Sequence, residues 1–463
     1  MQPFFIYDVF LYSMTMTFEE LSLALKGKVY LDSTTLETYS KDKSYSESVL
    51  PAMVIIPECE TDIEYILLYA NKNNQPITVR GGGSGKSGGA IPEVNGIVIS
   101  FEKMNQISMV DRANRCIMVQ PGAILDDIKE AVSNVGLWYP VDPSSSDWCT
   151  IGGNLAENAG GANAIKYGVT GNYVLGISGY FGNGKPFSFG GKCHKDVAGY
   201  DLKSLLIGSE GTLGIITNIT LKLIPKPQFN QSFWCTFDTI EIACNCLQTV
   251  LSSSYHLSAA EFIQPSCLDA VESYLNKRIP LKAPALLCRY DSDSQIGIDD
   301  FFKFLQSVCN DLNGNCEVRD EALYWEVRRS ISEALGHYYK HKYSEDITVP
   351  LAQVPVFLNH VKSFEVPGTC IVCYGHLGDG NIHTNILNES LPETEWLVTK
   401  ETIIRNIMSY TVASGGTLTG EHGIGLTKKA YMPLYFSEHE LAIFKGIKQV
   451  CDPNTILNPS KLV

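Results

Sequence analysis

Apolar and polar residues alternate along the chain in stretches of strand period and stretches of helix period. Met53 to Ile56 and Ile77 to Val79 are short apolar runs that read as strands, as do Ile97 to Phe101 and Cys116 to Val119. Between the first two, Thr61-Asp-Ile-Glu64 has capping-box spacing and opens a helix with Ile63, Ile66, Leu67 and Ala70 on one face. A second helix is predicted from about Ala123 to Asn134, stopped by Gly136. The pattern predicts an α+β or α/β domain from about 50 to 225, with more glycine than packing requires. At Pro225 and Pro227 the character changes. Phe233 to Phe237, Ala285 to Tyr290 and Thr369 to Tyr374 then read as strands, set among amphipathic helices of a second domain reaching about 415. A last capping box, Ser437-Glu-His-Glu440, precedes a stripe of Leu441, Phe444, Ile447 and Val450, which Asp452-Pro453 ends.

Bulk properties narrow the function. At 463 residues the chain has material for two or three domains, and 44% hydrophobic with 19% charged residues is a globular composition. A formal net charge of -14 argues against a nucleic-acid partner, which needs clustered Lys and Arg. The 14 cysteines are scattered, so free thiols and a reducing compartment are the default. Cys370 and Cys373 have C-x-x-C spacing but lie in a strand-like run, where core packing is the reading. The apolar start, MQPFFIYDVFLYSM, is broken by Asp8 and has no basic lead or small-residue cleavage site. It is not expected to be a signal peptide or membrane span, and Met1, Met14 and Met16 all remain as starts. Nothing later is long and apolar enough to cross a bilayer.

The glycines carry the first chemical signal. Arg80-Gly-Gly-Gly-Ser-Gly-Lys-Ser-Gly-Gly89 follows a strand and holds six glycines in ten residues, which lets backbone N–H groups approach a pyrophosphate. Gly83, Gly85 and Gly88 match the dinucleotide fingerprint, but no helix opens after them. Gly85-Lys86-Ser87 resembles the end of a P-loop, yet the position of its leading glycine is Arg80. Asp142-Pro143-Ser144 leads into a second run, Thr150-Ile-Gly-Gly-Asn-Leu-Ala-Glu-Asn-Ala-Gly-Gly161, and a third spans Gly208 to Ile216. Three such loops in one domain point to a long cofactor threaded between backbones.

The second signal is a set of histidines. His376 and His383 flank a Gly-Asp-Gly turn that can fold back and bring both imidazoles to one side. Glu421 and His422 stand between glycines in Gly420-Glu-His-Gly-Ile-Gly425. Two imidazoles and a carboxylate form a divalent-metal set with open positions, and the spacing is not that of a zinc peptidase.

Together these stretches resemble the vanillyl-alcohol oxidase / p-cresol methylhydroxylase superfamily over nearly the whole chain. The resemblance is to the branch of D-lactate dehydrogenases, D-2-hydroxyglutarate dehydrogenases and the glycolate oxidase flavin subunit. It implies an N-terminal extension over 1–47 and a PCMH-type FAD-binding domain over 48–227. A substrate (cap) domain on an antiparallel sheet follows over 228–415, and 416–463 returns to the FAD domain. FAD would contact Arg80, Gly81, Gly82, Gly83, Ser84, Gly85, Pro143, Ser144, Thr150, Gly152, Gly153, Asn154, Asn158, Gly160 and Gly161. Glu210, Gly211, Gly214, Ile215, Ile216 and Asn458 would complete its pocket. Ser84 and Lys86 replace the usual Thr and Leu, and Ser460 a common Gly. Some members tether FAD through a His at the position of Ser84, so here the flavin is expected to be non-covalent. Cys193 and His194 lie elsewhere and are expected to face solvent.

By the same resemblance His376, His383 and Glu421 hold a divalent metal, zinc or manganese, and His422 is the base. Arg328, Ser332, Lys342 (or Lys340) and Asn385 hold the substrate, with Arg328 and Ser332 one helical turn apart. The implied reaction is oxidation of a small D-2-hydroxy acid, of glycolate or D-lactate type, with hydride leaving to flavin N5. Electrons would pass to a separate carrier, quinone or partner subunit, since no iron–sulfur or haem motif is present. The expected location is cytoplasmic or peripheral at the inner face of a membrane. The rival readings are a metal-dependent hydrolase, a nucleotide-binding NTPase, and a non-catalytic flavoprotein subunit of a larger oxidase.

Overall fold

A computed structural model describes residues 16–279, 282–318 and 320–462. The apolar run 1–14 lies outside the described residues. The first half is built on two sheets. β1 (Lys28–Tyr30), β2 (Met53–Ile56), β3 (Ile77–Arg80) and β4 (Ile97–Ser100) form one, in the order β1-β2-β4-β3. β2, β4 and β3 run parallel, and β2 and β4 are buried along their whole length, as unbroken apolar strands require. The helix Glu60–Asn73 covers this sheet with Ile63, Ile66, Leu67 and Ala70.

That helix does not begin with the expected capping box. Its N-cap is Cys59, which makes no side-chain cap bond. Asp62 turns back instead and accepts from the backbone N–H groups of Lys26, Gly27 and Glu58. Glu64 accepts from Tyr180 Oη on the second sheet. A tertiary partner, Tyr180, takes Glu64 from the local motif.

The second sheet contains β5 (Cys116–Val119), β7 (Val174–Phe181), β8 (Pro186–Gly190) and β9 (Gly214–Lys222), in the antiparallel order β5-β9-β7-β8. The short β6 (Leu137–Trp138) pairs with β10 (Ile224–Pro225). The predicted second helix runs Leu125–Ser133 and packs Leu125, Ile128 and Val132 into this core. The run Thr150 to Gly161, read as a loop, contains a helix, Ile151–Glu157. Thr150 caps it by accepting from Gly153 N–H, and Ile151 and Leu155 are buried. Cap and burial outweigh the poor helix propensity of Gly152 and Gly153.

The second half is a seven-stranded antiparallel sheet of β11 (Phe229–Thr236), β12 (Leu257–Ile263), β13 (Ala285–Ser292), β14 (Asn315–Glu317), β15 (His341–Thr348), β16 (Thr369–His376) and β17 (Asn381–Asn388). Its order is β14-β11-β13-β12-β16-β17-β15. Strand alternation gives it two faces. Phe233, Cys235, Phe262, Leu286, Ile371 and Cys373 pack under the helices Ile240–Leu251, Gln295–Asp311 and Glu393–Ala413. Trp234, Ala259, Leu287, Val372 and Tyr374 face the helices Pro265–Leu275 and Glu321–Tyr338. Cys370 and Cys373, three apart on β16, therefore point to opposite faces and do not meet.

The final helix, Glu438–Cys451, has the expected capping box, with both reciprocal bonds at Ser437 and Glu440. Its stripe differs from the expected one. Val450 is 77% exposed, while Lys448 and Cys451 are buried. A three-residue step drifts off the ~100° helix period, so nine residues past Leu441 the face has turned by about 180°. The chain then returns to the first sheet, where Ile77 N–H donates to Ile456 O and Asn458 N–H to Ile77 O.

Candidate active site

A cavity of about 750 Å³ lies between the glycine loops of the first half and the sheet of the second. Gly81 to Gly85, Pro143, Ser144, Thr150, Gly152, Gly153, Asn154, Gly160, Gly161, Glu210, Gly211, Gly214 and Ile216 line one side. Some glycines are demanded by packing: a Cβ on Gly81 would stand 2.3 Å from Thr150 Oγ1. Gly85 is different. No protein atom lies within 4 Å of where its Cβ would be, so its missing side chain leaves room in the cavity itself.

Four predicted members of this wall stand behind it. Arg80 donates to Lys41 O and stacks over Tyr39. Asn158 ends the helix Ile151–Glu157 in the left-handed region and accepts from Gly171 N–H. Ile215 is fully buried in the core of the parallel sheet. Asn458 donates to Glu210 O. The Glu210 carboxylate is itself engaged by the N–H groups of Ile424 and Gly425, which ties the 420–425 loop to the first half. Burial, then the Glu210 carboxylate, hold the neighbouring Glu157 well above the usual range. Cys193 and His194 sit in an exposed loop.

At the far end the sheet register assembles the histidines. β12 and β16 pair Glu261 with His376. β16, β17 and β15 align Tyr374, His383 and Asp346 in one row. The loop after Glu393–Ala413 then brings Glu421 and His422 over that row. Nε2 of His376 and of His383 each lie 3.6 Å from Glu421 Oε1, and His422 Nε2 lies 3.8 Å from it. Three imidazoles thus converge on one carboxylate oxygen.

Two carboxylates that sequence reasoning missed hold this arrangement. Glu261 accepts from His376 Nδ1 at 2.7 Å, which turns Nε2 toward Glu421. Asp346 Oδ2 accepts from Thr419 Oγ1 and from the N–H groups of Gly420, Glu421 and His422, all at 2.9–3.0 Å. Both residues are fully buried. The only local signal for either is a charge in the middle of a strand-length run.

The charges are strongly coupled. Burial opposes ionisation of Glu261, but the Arg328 guanidinium, with His376, brings its carboxyl down to about 2. Burial likewise opposes Asp346 and Glu421; His422 and Lys428 outweigh it at Asp346, and His376 at Glu421, so both lie below the usual range. His376 shows the same contest from the other side: Glu261 and Glu421 overcome desolvation and raise it well above 6.5. Desolvation wins at His383, which lies well below its usual value, and at His422, lowered to about 4.

Cations line the side wall. Arg328 Nε donates to Glu261 Oε2 at 2.6 Å, its guanidinium lies 4.9 Å over the Tyr374 ring, and its buried Nη2 has no protein partner. Ser332, Arg329 and Lys86 also line the cavity. Lys342 stands behind Ser332 and donates to its Oγ; burial, and then Lys86, lower it to about 8. The alternative, Lys340, is exposed. Asn385 shares a strand face with His383 but is fully buried, donating to Val372 O and His383 O.

The chain matches two family models: an FAD binding domain over residues 51–190 and the FAD linked oxidases C-terminal domain over 226–462. The chain belongs to the FAD-linked oxidases. Glycolate oxidase subunit GlcD of Bacillus subtilis (strain 168) is 34% identical over 92% of this chain and 91% of its own length. D-lactate dehydrogenase of Anaerostipes hadrus is 32% identical, covering 89% of each, and D-2-hydroxyglutarate dehydrogenase of Stutzerimonas stutzeri (strain A1501) 30% identical over 95% and 97%. The fold alone is shared with p-cresol methylhydroxylase, at TM-score 0.78 and 14% identity over 96% of this chain and 95% of that one. This chain is therefore an FAD-linked oxidoreductase of the glycolate oxidase / D-lactate / D-2-hydroxyglutarate dehydrogenase family.

The residues of this FAD-linked oxidase suit its cofactor. The cavity is open at Gly85 on its glycine-walled side, and its volume of about 750 Å³ falls within the ~300–1,000 Å³ of ligand sites. The histidine end suits a divalent ion. His376 and His383 Nε2, each 3.6 Å from Glu421 Oε1, come close to the ~3–3.5 Å separation that metal bonds of about 2.0–2.2 Å impose. The donors that lie all within 4.8 Å of one another are those of Asp346, His383, Glu421 and His422, without His376. Asp346 also comes within range of His383, Glu421 and His422, but its Oδ2 already accepts four donors and is better suited to orienting them.

Proposed function

We propose that this flavoprotein oxidises a small D-2-hydroxy acid, of glycolate or D-lactate type, to the 2-oxo acid. The observation that carries the reading is the convergence of three imidazole Nε2 atoms on Glu421 Oε1, at the end of a glycine-walled cavity with a cationic side. His376, His383 and Glu421 would hold a divalent metal, zinc or manganese, beside non-covalent FAD. Bound, the metal supplies positive charge at the substrate hydroxyl and FAD accepts the hydride.

The chain's own residues do the rest. Arg328 offers its free Nη2, and Ser332 its hydroxyl, to the substrate carboxylate. Lys342 orients Ser332, and Asn385 holds the strand on which His383 sits. His422, neutral near pH 7, takes the hydroxyl proton at Nε2. Asp346, 3.8 Å from His422 Nδ1, stabilises the imidazolium so formed. Overall, the O–H proton and the Cα hydride leave together and a C=O bond forms.

The glycine contacts above serve FAD within a domain over 48–227, with a substrate domain over 228–415 and a returning segment over 416–463. The electrons would leave to a separate carrier, quinone or partner subunit. We place the protein in the cytoplasm or at the inner face of a membrane; no described helix is long and apolar enough to cross one. Anaerobic mixing with D-lactate, glycolate and D-2-hydroxyglutarate in turn, followed by flavin absorbance, tests the reaction. Bleaching by a hydroxy acid is expected, fastest with glycolate or D-lactate. A yellow protein that none of the three bleaches would overturn the substrate class.

A further inference from the structure

Five of the 14 cysteines gather where the oxidation does not reach. They are Cys235 on β11, Cys246 in the helix Ile240–Leu251, Cys288 on β13, Cys309 in the helix Gln295–Asp311 and Cys316 on β14. Pairing of β11 with β14 sets Cys235 opposite Cys316. The sulfurs of Cys235, Cys309 and Cys316 all lie within 4.8 Å of one another, and Cys246 Sγ is 4.0 Å from Cys309 Sγ. Cys235 and Cys309 are fully buried, while Cys316 is half-buried on the edge strand. The cluster sits on the sheet face away from the cavity, among residues such as Phe233 and Phe301.

We propose that Cys235, Cys309 and Cys316 form a binding site for a thiophilic metal ion of the zinc(II) or copper(I) class. Three features support this. The spacing admits ligands: the three sulfurs are free thiols within 4.8 Å of one another, a range that includes the about 3.8–4.0 Å set by ~2.3 Å metal–sulfur bonds, whereas disulfide sulfurs stand about 2.0 Å apart. The donors come from two strands and a helix, so separate parts of the domain have brought sulfur to one point. The set is all sulfur, which selects a soft ion over magnesium or manganese. Each ligated thiol releases its proton, and no electron moves. An ion here would tie the edge strand β14 and the helix Gln295–Asp311 to β11.

The test uses the intact flavoprotein equilibrated with Zn²⁺ and then gel-filtered. Zinc X-ray absorption separates this site from the histidine cluster, because sulfur ligands lie at ~2.3 Å and nitrogen or oxygen at ~2.0–2.2 Å. A sulfur shell is expected, together with protection of native thiols from a thiol reagent. Both should be lost in Cys309→Ser, with flavin reduction by the hydroxy acid unchanged. Cys316→Ser, on the half-exposed edge, serves as the second variant where Cys309→Ser does not fold. Zinc bound only through nitrogen and oxygen, or a sulfur shell that survives in Cys316→Ser and Cys309→Ser alike, would overturn the proposal. Because the readout is a sulfur shell and not turnover, it stands or falls apart from the proposed reaction.

Discussion

At residue scale the site is a set of charges whose burial is tolerable only because each has a partner. Glu261 serves Arg328 and His376 together, and Asp346 serves His422 and three backbone N–H groups. His422→Ala is expected to retain FAD, seen as an unchanged flavin spectrum, while anaerobic flavin reduction slows by about 10²–10⁴-fold. Reduction at the wild-type rate would remove His422 from the chemistry. Lys342 sets a pH dependence. With its amine lowered to about 8, it is charged below that pH and loses the charge above it. Substrate capture, read as kcat/KM, should therefore fall as pH rises through about 8. The kcat profile should break at higher pH, because a bound carboxylate favours the charged amine. Lys342→Arg, which stays charged, should move the kcat/KM limb to higher pH.

At element scale, glycine spacing, the turn between His376 and His383 and the apolar strands were legible because each is a local property. The helix ends were less so. Thr61 and Glu64 have capping-box spacing, yet the helix starts at Glu60 and Glu64 serves Tyr180. The final helix shows the same competition. Lys448, outside the expected stripe, is buried and donates to Thr212 O, Leu457 O and Asp452 Oδ2. Asp452 is fully buried and also accepts from Ile456 and Leu457 N–H. Lys448→Met would leave that carboxylate unpaired and should destabilise the fold by about 3–5 kcal/mol. Urea unfolding followed by circular dichroism measures it, and a loss below 1 kcal/mol would show that the tether carries little of the stability.

At the scale of the whole molecule, the two halves make one site, because the glycine wall and the histidine end come from opposite sides of the same cavity. Treatment with a chelator, which would remove the proposed divalent ion, is expected to abolish flavin reduction and leave the flavin spectrum intact, with Zn²⁺ or Mn²⁺ restoring activity. Unaltered reduction after metal analysis shows the protein ion-free would separate the metal from the reaction. The sequence by itself determined the class of fold, the glycine loops and the histidine segments. These depend on residues close together in the chain, where spacing translates directly into a turn, a strand or a backbone approach. Only the tertiary structure picked Glu261 and Asp346 out of 50 acidic residues, and five thiols out of 14 cysteines. The partners of the two carboxylates named above lie 67 to 115 positions away, brought in by strand register, by the helix Glu321–Tyr338 and by the loop after Ala413. It also moved Arg80, Asn158, Ile215 and Asn458 behind the cavity wall, because the direction of a side chain is set by what packs against it.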